Sequence, residues 1–137
     1  MIEKTFEKDG HKVTLEDSGA ILLDGEKVIS PFCERERLSM HEGCVGKDYL
    51  VWSSQVVVDR YQQPPTDQIN HTIMAYCIKN RQIKPVFQLQ DHPPTDKVYG
   101  VQLEGLEGSK VRYGWFNYAG DDKFNPEEKD LTDVFKD

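Results

Sequence analysis

Apolar and polar residues alternate with a period of two along most of this chain, which is the signature of half-buried strands. In 2–7, Ile2, Lys4 and Phe6 fall on one face and Glu3, Thr5 and Glu7 on the other. Short runs at 12–15, 20–23 and 26–29 follow, divided by Asp9-Gly10, Asp17-Ser18-Gly19 and Asp24-Gly25. Asp-Gly between short strands suits a two-residue hairpin, because that turn needs positive φ at its central positions. The first thirty residues therefore read as an antiparallel meander.

A longer β-rich block begins near Asp48. The runs 49–52 and 56–58 read as one long bulged strand or two short ones. In 69–78, Ile69, Ile73, Ala75 and Cys77 share one face, and Met74, Tyr76 and Ile78 share the other, so both faces of this strand are partly covered. Ile83, Phe87 and Leu89 align on the next strand, where Pro85 marks an edge or a bulge because it cannot donate to a ladder. Tyr99, Val101 and Leu103 point inward with Gln102 and Glu104 outward; 105–109 reads as a flexible turn, and Val111, Tyr113 and Trp115 alternate with Arg112 and Gly114.

Two segments break this period. Residues 30–47 read as loop with one or two helical turns through 34–38. At the end, Asn125-Pro126-Glu127-Glu128 has the form of an N-cap, a proline at N1 and a glutamate at N3, a capping box that predicts a helix over about 125–136. Leu131, Val134 and Phe135 form its apolar stripe. The expectation is one mainly β domain over 1–137, an antiparallel meander forming a sandwich or partly open barrel, with a short C-terminal helix.

One repeat organises the middle of the chain. Pro-Pro-Thr-Asp occurs at 64–67 and again at 93–96. Alternate loops of a meander lie at the same end of the sheet, so these two stiff loops are expected on one rim. Tyr61, Thr66, Asp67, His92, Thr95 and Asp96 would stand at the centre of such a rim as partner-contacting residues.

Charge narrows the function classes. The chain of 137 residues carries a net charge of −7, which disfavours nucleic acids and anionic membranes as partners. Residues 121–137 hold seven acids and three lysines, net −4. Glu127, Glu128, Asp130 and Asp133 are therefore the second candidate partner-binding set, suited to a basic protein. No apolar run approaches the ~20 residues of a membrane span, and the first residues contain no apolar leader core. Three cysteines, Cys33, Cys44 and Cys77, have no framework spacing and read as reduced thiols, which points to a cytoplasmic protein.

The motifs of catalysis are weak. Cys33, His41 and Cys44 lack the paired Cys-x2-Cys of a zinc site. Asp67, Asp91, His92 and Asp96 have hard-cation chemistry but match no cation-binding loop. His71 and Cys77 share a face but lie roughly 20 Å apart along their strand, too far for a nucleophile and its base. In 105–110 the lysine follows the serine and a strand comes next, so the stretch is no phosphate loop. No catalytic residue, metal or cofactor is implied. The leading expectation is a non-enzymatic protein-binding module, in its narrowest form a stoichiometric inhibitor or immunity protein docking a basic partner such as a nuclease toxin. Two rivals remain: a small-ligand-binding barrel, enzymatic or not, lined by Trp52, Tyr113, Trp115, Phe116 and Tyr118, and an assembly subunit pairing through the edge near Pro85.

Overall fold

The computed structural model describes residues 4–15, 21–28, 38–58, 68–91, 99–118, 120 and 123–136. They form three antiparallel sheets and one short helix. The N-terminal sheet is the meander β1 (Lys4–Lys8), β2 (His11–Leu15), β3 (Ile21–Leu23) and β4 (Glu26–Val28). Its two Asp-Gly pairs adopt the expected turn, with φ of 53° and 83° at Asp9 and Gly10 and 52° and 86° at Asp24 and Gly25. Asp tolerates this left-handed region better than most side chains and glycine enters it without penalty, which is why the pair recurs at both hairpins.

The middle sheet is a second meander, β5 (Leu38–Val45), β6 (Tyr49–Val58), β7 (Gln68–Cys77) and β8 (Gln82–Gln90). Its two faces serve two cores. Leu50, Trp52 and Met74 pack with Val45 against Val13, Ile21, Leu23 and Val28 of the N-terminal sheet. Val51, Ile73, Ala75, Cys77 and Val86 pack on the other side against the C-terminal sheet and helix. That division explains the unbroken apolar run 49–52, since a strand buried on both faces has no wet side to keep polar. Each large side chain so buried stabilises the fold by roughly 1.5–3 kcal/mol. At the β5 edge the outer sheets approach each other, and Lys8 Nζ donates to the Leu106 carbonyl at 3.5 Å.

The C-terminal sheet has the order β11 (Asn125–Asp130), β10 (Lys110–Asn117), β9 (Tyr99–Glu107), and α1 (Leu131–Val134) follows β11 directly. Leu131 and Phe135 are buried and Val134 packs beside them, as the apolar stripe predicts. Phe135 stacks on Tyr49 with centroids 5.7 Å apart.

Three expectations are corrected. Residues 38–45 are strand β5 rather than loop, with a bulge between Met40 and Glu42 that explains their broken alternation. Residues 105–107 continue β9 and only 108–109 turn. Residues 125–130 are a strand paired along β10 from Lys110↔Asp130 to Trp115↔Asn125, so the capping box does not operate. The helix starts six residues later, with Asp130 as N-cap accepting from Thr132 N at 3.0 Å. Pro85 sits on β8, the edge strand, opposite Met74 where the register shifts, so it is both at an edge and at a bulge.

The register also locates the exits of the repeated loops. Val58 pairs with Gln68, and Asn70 pairs with Gln90, so segments 59–67 and 92–98 leave the middle sheet at one end. Tyr61, Thr66, Asp67, His92, Thr95 and Asp96 themselves lie outside the described residues.

Candidate functional site

The C-terminal sheet has one face in the core and one in solvent, and a bulge sets which residues go where. Arg112 pairs with Gly105 and Tyr113 with Leu103, so Glu104 is the extra residue. Leu103 and Leu106, three apart, consequently both point inward with Val111 and Tyr113. Gln102, Glu104, Arg112, Pro126 and Glu128 are exposed.

Aromatic rings lie flat on this outer face. A Cβ at Gly114 would collide with the Phe124 ring, so only glycine leaves space for that ring to rest on the strand. Phe116 stacks on Phe124 at 4.9 Å and on Tyr118 at 5.9 Å. Tyr118 covers Gly100 and is itself 60% exposed. Beside Phe124 runs an open groove of about 470 Å³, bordered by Glu104, Gly105, Arg112, Pro126 and Glu128, with Tyr113 and Glu127 contributing to its lining.

The carboxylates here are not equivalent. Glu128 lies 3.8 Å from Lys110 Nζ and 3.8 Å from Arg112 Nε. Arg112 also pairs with Glu107. These exposed pairs contribute little stability, but they neutralise one another. Asp130 is occupied as the helix cap; the Thr132 hydroxyl and amide hold its carboxyl below the usual range. Asp133 is exposed in the first helical turn. Glu104 and Glu127 have no cationic partner among the described residues. Burial pushes the Tyr113 hydroxyl up, and the nearby Glu127 carboxylate adds to this, although the two do not meet hydrogen-bond geometry. Of the four terminal acids picked out by charge, then, Glu127 and Asp133 remain uncommitted, Glu128 and Asp130 are engaged, and Glu104 joins from a strand that the charge count passed over.

A second polar constellation lies inside. His71, on the β7 face that meets the C-terminal sheet, places Nε2 3.1 Å from Asp91 Oδ1. The same oxygen accepts the Tyr99 amide at 2.7 Å. Asp91 thereby ties the end of β8 to β7 and to the start of β9. Ser53 pairs with Ile73 and Gln55 with His71, which makes Ser53 a diagonal neighbour of His71 on that face. Serine, histidine and aspartate in this order invite a hydrolase reading. Two observations oppose it: Ser53 Oγ and His71 Nδ1 make no hydrogen bond to each other, and all three residues are at most 5% exposed. His71, Asp91 and the Tyr99 amide form a structural clamp. It uses Asp91, one of the four residues weighed as a hard-cation set; no metal-ligating cluster occurs among the described residues.

The aromatic residues expected to line one cavity are dispersed. Trp52 belongs to the core under the N-terminal sheet, Tyr113 to the opposite core, and Phe116 and Tyr118 to the outer face. Among the described residues the sheets close no barrel. Cys77 is buried in the core and forms no disulfide. Cys33 lies outside the described residues and the His41 side chain is likewise not described. Among the described residues no helix is long and apolar enough to cross a membrane. Compared with known proteins, the chain matches no family model, no curated sequence and no solved structure.

Proposed function

We propose that this chain is a non-enzymatic protein-binding module that captures a basic partner on the outer face of its C-terminal sheet. The observation that carries the reading is the uncompensated Glu104 carboxylate beside stacked aromatics on a solvent-facing sheet, with Glu127 exposed on the edge strand β11 and Asp133 on the helix. Unpaired surface carboxylates steer a positively charged protein toward them, and exposed aromatic rings supply contact area once it arrives. A stoichiometric inhibitor of a basic enzyme is the narrowest form of this function, with the carboxylates presenting to a phosphate-binding surface the charge it normally meets.

The test compares the wild-type protein with Glu104→Lys/Glu127→Lys/Asp133→Lys, which leaves the Asp130 cap and the Glu128 ion pairs intact. Both are immobilised and exposed to extract of the native host, and association of each retained protein is then measured purified. The expected result is a basic partner whose association slows by about ten-fold or more with the variant and falls steeply with added salt. Equal association rates for both proteins would overturn the reading.

A further inference from the structure

We propose that the outer edge of β8 is a self-association site which the Lys129 ammonium holds closed against a second copy of the chain. β8 ends the middle sheet, so one side of its backbone has no strand beside it among the described residues. Val86 is the extra residue of its bulge, because Phe87 pairs with Ile73 and Pro85 with Met74. Lys129 reaches across from β11, the edge of the C-terminal sheet, and donates to the Val86 carbonyl at 2.7 Å. It makes no ion pair among the described residues, which commits its charge to that carbonyl. One residue earlier, Pro85 has no amide proton to offer an added strand. β11, brought alongside by this contact, is closed in turn by Pro126 and by the four charged residues 127–130.

The strand itself names the occupant. Beyond the proline, Val86, Phe87, Gln88, Leu89 and Gln90 carry no charge. Short uncharged β-prone segments without proline pair readily with copies of themselves when their edge is exposed. Paired antiparallel about Gln88, two such segments set Val86 opposite Gln90 and Phe87 opposite Leu89, so no like charges meet. A charged partner strand would find nothing on these five residues to answer its charge. β9, an edge strand of equal length, is less suited, since Gly100, Gly105, Glu104 and Glu107 interrupt its run. A strand arriving at β8 must displace the Lys129 ammonium to reach the Val86 carbonyl, and would leave that charge unpaired beside the new ladder.

The test compares the full wild-type chain with Lys129→Met, which keeps the stem and removes the donor, and Lys129→Arg, which keeps a charged donor. Each is followed by sedimentation and by amide shifts over a concentration series. Lys129→Met is expected to tighten self-association about ten-fold or more, the worth of one hydrogen bond to a charged group that no longer has to be broken. Its concentration-dependent shifts fall on 83–90, and Lys129→Arg sediments as the wild type does. Net charge acts the other way: losing the lysine makes a chain already at −7 one unit more negative, which drives copies apart. Spectra that match the wild type at the lowest concentration confirm the fold. Should the methionine variant lose it, Lys129→Gln, polar and of similar length, carries the same expectation at a smaller size. Unchanged sedimentation of the folded variant would overturn the lock. So would association whose shifts fall on β1, β4, β5 or β9, or an arginine variant that associates as strongly as the methionine one.

Discussion

Each layer interface is joined by a histidine–aspartate pair, and the two are built in opposite ways. At the interface with the N-terminal sheet, His11 Nδ1 meets Asp24 Oδ2 at 2.7 Å and Nε2 meets the Lys47 carbonyl at 3.1 Å, both partners being acceptors. The pair is partly exposed, and the hydrogen bond to Asp24 raises the His11 pKa above its ordinary 6.5. At the interface with the C-terminal sheet, His71 and Asp91 are buried, and Nδ1 of His71 has no partner. The first arrangement satisfies a doubly protonated ring and is adjustable by pH. The second shields a single hydrogen bond from water and joins three strands through one oxygen. Burial, more than pair identity, separates a solvent-facing link from an enclosed clamp.

The comparison breaks most visibly at Asp91. Asp91→Ala strips the acceptor from both the Tyr99 amide and His71, and is expected to lower stability by about 3–5 kcal/mol in urea unfolding. Asp91→Asn keeps an acceptor oxygen and is expected to cost about 1 kcal/mol. A loss below about 1 kcal/mol for the alanine variant would remove the clamp as a structural element.

At the exposed pair the expected effect is smaller and depends on pH. Because the folded-state pKa of His11 is raised, its contribution is complete below pH 6.5 and lost as pH rises through the folded value. The Asp24 pKa is lowered from 3.8, first by the His11 bond and then by the Lys12 amide, so its contribution is present above 3.8 and lost as pH falls through the folded value. The link therefore acts between those limits. His11→Gln is expected to flatten the fall in urea midpoint between about pH 6 and pH 8, and an unchanged slope would assign that fall to another group. Asp24→Asn, which retains a side chain tolerant of the left-handed turn, is expected to have the smallest effect, one that added salt diminishes; salt-independent destabilisation would show the turn rather than the charge to be responsible.

Local pattern was a sound guide wherever one residue type answered one local demand. Both Asp-Gly turns, the two faces of β7 and the buried end of the chain were legible because period-two alternation and positive φ are properties of neighbouring residues. Strand β11 was not. Pro126, Glu127 and Glu128 favour a helix start locally, and a ladder to β10 overrides that preference. Strand β5 was hidden by its bulge, and the outward Glu104 was legible while the bulge that carries it was not. The candidate groove was illegible for a related reason: Phe124 meets Gly114 and Glu104 takes its place as the extra outward residue only after β9, β10 and β11 are in register. His71 lies on β7 and Asp91 just past the end of β8, with no diagnostic spacing, so their pairing left no mark in the sequence.

The sequence by itself determined a mainly β chain, its tight turns, its acidic balance and the common end from which the two repeated loops depart. Each follows from short-range sterics, from alternation or from a count of charges. Only the tertiary structure decided that the middle sheet is buried on both faces, that 125–130 extends a sheet, and that two of five acids near the groove and helix are spoken for while Glu104, Glu127 and Asp133 are not. Those outcomes depend on which strands lie side by side, and the free energy that selects the pairing comes from contacts between residues far apart in the chain.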